Sequence, residues 1–138
     1  MTAAIHGIAT LIGFICAMVC AALMLKLKTD EQALKRGRIA RRIAPVTWLA
    51  FIALMVTGII LTISADKPYN MYLLVAKHVL VLVLLVDALL IHFRYFPRFF
   101  KQIGTPGFKQ NYTVMQRIGA LSVSCWVIIL VLSVLLGR

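Results

Sequence analysis

Between Met71 and Tyr95 the chain passes through Tyr72-Leu73-Leu74-Val75-Ala76-Lys77-His78-Val79, a leucine/valine stretch, Val86-Asp87-Ala88 and His92-Phe93-Arg94. As a helix rising about 1.5 Å per residue, such a run is long enough to cross the roughly 30 Å hydrocarbon core of a bilayer. Lipid offers no partner to backbone N–H and C=O groups, so a segment of this kind is confined to helix, which satisfies them internally. The run also carries a lysine, two histidines and an aspartate, and a charged residue at the centre of a span costs about 2.5–3.5 kcal/mol on insertion scales. These side chains need something other than lipid to face. This is the helix on which chemistry is expected.

Three further apolar runs accompany it. Residues from about Ala3 to Leu25 carry no charge, and Lys26 and Lys28 follow the run rather than precede it. The segment therefore reads as a retained helix and not as a secretory signal. A second span covers about 45–64, with Pro45 at a tolerated first-turn position, Trp48 near the interface, and Thr57-Gly58 as a place where a neighbouring helix can approach. Asp66-Lys67-Pro68-Tyr69-Asn70 reads as a tight turn that makes the second and third helices antiparallel neighbours. The third span, about 71–95, ends in an aromatic and basic belt, with Pro97 as a stop or kink. The fourth span covers about 118–136.

The basic connectors, 26–42 and 96–117, separate these runs. Counted from Arg94, they hold twelve of the fifteen Lys and Arg residues. The positive-inside rule then puts both connectors in the cytoplasm and both termini outside. Thr29-Asp30-Glu31-Gln32 has helix-start chemistry, so a short interfacial helix is possible within a loop that touches anionic lipid headgroups. The expected fold is all-α: one transmembrane domain, residues 1–138, forming an antiparallel four-helix bundle in a bacterial inner membrane.

Composition excludes several function classes. The chain is 62% hydrophobic and only 14% charged, outside the soluble range. Its net charge of +11 sits in blocks between apolar runs and not on an aromatic-studded surface, which argues against nucleic acid. There is no phosphate-cradling glycine loop, no carboxylate pair for acid–base work and no Ser/His/Asp set. Cys16, Cys20 and Cys125 lie in apolar runs with no zinc-ligand spacing and read as packing residues, although Cys16 and Cys20 are one turn apart and could serve one metal. The six methionines are scattered and form no copper-relay cluster, and Met18 and Met24 read as packing.

The ionisable residues in the spans leave three candidates. His6 and His78 fall one to two turns inside the outer face on different helices, a placement that suits a b-type haem held from both sides. The porphyrin would stand beside Gly7, Thr10 and Gly13, with its propionates toward Lys67, Tyr69, Tyr72 or Lys77. Lys77 could replace His78 as the ligand, being only about 100° away on the helix. Alternatively, each histidine bonds a backbone carbonyl or sits at headgroup level. His92 lies near the same face as His78, about 21 Å further along, with no partner histidine at that level, and reads as interfacial. Asp87 either reaches toward Arg94, or hydrogen-bonds Trp48, Thr47 or Ser122, or serves as a step in proton movement.

Ala4-Ile5-His6-Gly7, an Arg-rich start to a second helix containing Thr57-Gly58, and Ala76-Lys77-His78 opening a third helix together resemble the small membrane haem proteins grouped around the HemJ-type protoporphyrinogen oxidases and the CopD-like copper-resistance proteins. In the HemJ type, a first-helix histidine and a third-helix lysine are associated with haem, and the resemblance places His6 and Lys77 in those roles. Asp87 has no counterpart there.

The leading expectation is a membrane b-haem protein that moves electrons, as an oxidase or as a subunit of a larger redox complex. A non-catalytic bundle that stabilises a partner or forms a homo-oligomer is the rival. A proton-coupled carrier built on Asp87 and Lys77 is the third possibility.

Overall fold

In the computed structural model, residues 1–25, 27–64 and 70–136 are described. Four helices account for nearly all of them: α1 (Thr2–Leu23), α2 (Asp30–Ile63), α3 (Met71–Gln102) and α4 (Phe108–Leu136). Each is long and apolar enough to span a membrane, and together they form the expected all-α membrane bundle. The turn expected at Asp66–Asn70, with Lys67 and Tyr69, lies outside the described residues except for Asn70. That residue caps α3, its side-chain oxygen accepting the N–H groups of Tyr72 at 3.1 Å and Leu73 at 3.3 Å.

Cross-helix contacts set the register. His6 pairs with Thr57 and Cys20 with Ala40, so α1 and α2 run antiparallel along their length. Gly13 against Trp126, and Met24 against Tyr112, do the same for α1 and α4. Asp87 with Ser122, and Tyr95 with Asn111, do it for α3 and α4. Close packing therefore follows the order α2, α1, α4, α3 around the bundle. The remaining edge, between α2 and α3, is looser, although those helices are consecutive in the chain. Side chains bridge it.

Three boundaries differ from the expectation. The basic segment 26–42 is not a connector loop. Thr29 caps α2 by accepting the Gln32 N–H at 3.2 Å, and the helix then runs unbroken for 34 residues, carrying its arginines and lysines within its first four turns. Pro45 consequently lies inside the helix and not in its first turn, where the lost N–H is tolerated because the rest of the ladder is intact. Likewise α3 does not stop at Pro97. Its turns widen to π-helical between Leu90 and Tyr95, with the Phe96 N–H reaching back to Ile91 O, and the helix resumes to Gln102. A widened turn next to a proline accommodates the ring and the carbonyl that has lost its donor. Finally, α4 begins at Phe108, ten residues before the expected start of the span.

The core has two parts. The middle is filled by Phe51, Leu54, Leu84, Trp126 and Ile129, and the basic end by Met24, Ala33, Phe99 and Met115. In a bilayer such contacts stabilise mainly by close packing, since lipid tails are as apolar as leucine.

Candidate functional site

The structure brings His6, Lys77 and Thr57 together. The Thr57 hydroxyl has one proton, and its 2.6 Å contact with the Ala53 carbonyl takes it. Thr57 Oγ1 is then an acceptor, so the ring N–H of His6 lies on Nδ1 and donates to it at 2.9 Å. That leaves His6 Nε2 bare, and Lys77 Nζ approaches it at 3.5 Å. Gly58 makes room for the ring, since a Cβ there would stand 3.4 Å from His6 Cε1. The expectation that Thr57-Gly58 admits a neighbouring helix is met by this imidazole.

Of the other residues expected around a porphyrin, Thr10, Gly13 and His78 are engaged elsewhere. Thr10 is buried and donates to the His6 carbonyl at 2.8 Å. Gly13 is the seat of the Trp126 indole, whose Cη2 would lie 2.6 Å from an added Cβ. Gly7 has nothing within 4 Å of such a Cβ. His78 is exposed, its Nδ1 donating to Leu74 O at 2.8 Å, the backbone-bonded alternative for a histidine near a helix end. His6, Lys77 and His78 do line one cavity, of about 130 Å³. As packed, that cavity does not fit a porphyrin. It is well below the roughly 300 Å³ at which small-molecule pockets begin, and Lys77 stands against the bare His6 Nε2.

Asp87 is buried and accepts from Ser122 Oγ at 3.1 Å, which selects one of its three expected hydrogen-bond partners in place of Arg94. His92 is half-buried in the π-helical stretch of α3, edge-on to Trp48 at 6.2 Å and to Phe93 at 5.0 Å.

His92 also lines a larger cavity, of about 220 Å³, walled by residues of all four helices. Its walls are almost entirely apolar, with Trp48 and Phe51 from α2, Leu84 and Phe96 from α3, and Trp126 from α4. They also collect Cys20 and Met24 from α1 and Met115 and Gln116 from α4. Met24 and Met115 belong to one buried cluster, and Cys20 is a free thiol one turn before Met24. Reading spacing along the chain could not find this set, because Met24 and Met115 are 91 positions apart. Among the described residues no three His, Cys, Asp or Glu side chains converge as a metal site. The donors gathered here include thioether sulfurs.

Residues 37–136 match the family model described as copper resistance protein D. The chain belongs to the copper resistance protein D family. This is a membrane family linked to copper resistance, and of the two groups the sequence resembles it is the one the match names. The matched segment takes in most of α2 and all of α3 and α4. His6 and the rest of α1 precede it. No curated protein and no solved structure matches the chain.

Proposed function

We propose that this protein binds copper as Cu(I) in the central cavity and passes it within the membrane, with Cys20, Met24, Met115 and His92 as the donors. The observation that carries the reading is that two methionines, a cysteine and a histidine from three helices all line one apolar cavity, in a chain of a family named for copper resistance. Soft thiolate and thioether ligands favour Cu(I), and imidazole is compatible with it. A monovalent cargo with soft ligands also suits a water-poor surrounding better than a hard divalent ion, which demands several oxygen ligands. Asp87 stands behind the cavity through Ser122, placed to hold or release a proton as a cation enters. The basic helix ends face the cytoplasm of a bacterial inner membrane and both termini lie outside, in keeping with the positive-inside rule.

Titration of the detergent-purified protein with Cu(I) against a competing chelator tests this reading. Met115→Leu and His92→Ala should each weaken binding by at least the roughly 10–100-fold that even outer-shell partners cost. Wild-type protein that takes up no Cu(I) would end the proposal.

A haem b held by His6 with His78 or Lys77 is the second reading, favoured by the shared cavity of the three side chains. It requires His6 to release Lys77 and the helices to part. A Soret band after haem-replete expression, lost in His6→Ala, would establish it. Association with a larger redox complex belongs with that reading.

A further inference from the structure

The loose edge between α2 and α3 is a groove with a chemically graded floor. On α2, Gly37, Arg41, Ala44 and Trp48 recur at three- and four-residue spacing and so share a face. On α3, Phe100, Phe96 and His92 form the facing stripe. Near the basic end the two stripes touch: a Cβ on Gly37 would meet Phe99 Cε1 at 2.8 Å and Phe100 Cε1 at 3.1 Å, and the Arg41 guanidinium lies 5.9 Å from the Phe100 ring centroid. Further in, Ala44, Trp48, Phe96 and His92 all line the central cavity. Arg41 is exposed, with Arg42 beside it and Lys101 next to Phe100.

We propose that this groove is a binding site for one anionic phospholipid, its phosphate on Arg41 with Lys101 and an acyl chain lying along the α2–α3 seam over the cavity. Three observations converge on that occupant. A planar guanidinium held against an aromatic ring at the end of an apolar groove presents a fork to phosphate oxygens. Basic pockets between helices on the cytoplasmic side are where acidic headgroups are held. The ten helical steps from Arg41 to Phe51 span about 15 Å, which is half the hydrocarbon thickness and hence the depth of one leaflet. The chain would close the side of the cavity that the helices leave loose. This site stands whether or not copper is the cargo, because its headgroup contacts, Arg41 and Lys101, are not copper donors; His92 is the one residue the two sites share.

Bromine-labelled acyl chains test it, since the protein's two tryptophans, Trp48 and Trp126, both line the cavity. Protein in phosphatidylcholine vesicles is titrated with brominated phosphatidylglycerol or with additional brominated phosphatidylcholine, and tryptophan fluorescence is read. The same titration on Trp126→Phe isolates Trp48. Half-quenching should need about fivefold less of the anionic lipid, as expected for one basic residue near a charged surface. Arg41→Gln should erase the preference, and Arg117→Gln, an exposed arginine on α4, should keep it. Equal quenching by the two lipids in the wild type overturns the proposal, as does a preference that survives Arg41→Gln.

Discussion

At the outer end of the bundle His6, Thr57 and Lys77 form a closed chain of contacts, in which each hydroxyl or ring proton has an acceptor and the bare Nε2 faces an amine. Toward the basic end, Cys20, Met24, Met115 and His92 stand around a cavity of about 220 Å³, and the sulfur atoms there are weak hydrogen-bonding groups with little to offer one another. Polar groups that satisfy each other stabilise a helix junction and leave little room for a ligand. Soft donors that do not satisfy each other, beside an open space, are equipped to take one. His6 and Lys77, which look most functional in the sequence, pack together as a clasp between helices. Residues that look like packing line the site proposed for the cargo.

The comparison can be tested by stability measurements in detergent. Trp126→Ala removes the wedge between the two regions and should destabilise by about 3–5 kcal/mol, the usual cost of emptying an aromatic site. Gly13→Ala drives a methyl into that indole and should cost about 1–3 kcal/mol as overpacking. If Gly13 instead faced an open porphyrin slot, the same change would be nearly neutral in apoprotein. His6→Ala leaves Thr57 Oγ1 and Lys77 without their partner and should cost about 1–3 kcal/mol, read as a lowered midpoint of thermal unfolding. An unchanged midpoint would remove the clasp from the account. Gly7→Ala, with nothing near the added methyl, should be neutral or stabilise by up to about 1 kcal/mol through helix propensity. A loss there would mean that a neighbour approaches this face.

How much of this was legible in the sequence follows from which interactions are local. The four spans, the Thr29 cap, the Asn70 turn residue that caps α3 and the close approach at Gly58 all follow from hydrophobic runs and short-range chemistry. Ser122 could be named as a partner for Asp87, although only among alternatives. The continuation of α2 through Pro45 and of α3 through Pro97 was not legible, because proline breaks a helix only where neighbouring turns cannot absorb the lost bond. The packing order around the bundle was less legible still. Periodicity gives each helix a face but not the helix it meets, so Gly13 read as a cradle for a ligand when it is the notch for Trp126. For the same reason Met24 and Met115, on different helices, could not be joined.

X-ray absorption at the copper edge, on purified protein loaded with one equivalent of Cu(I), measures the central claim directly. The account predicts sulfur scatterers in the first shell, reduced in number in Met115→Leu and unchanged in His6→Ala. A first shell of nitrogen alone that is lost in His6→Ala would contradict it and move the site to the outer end.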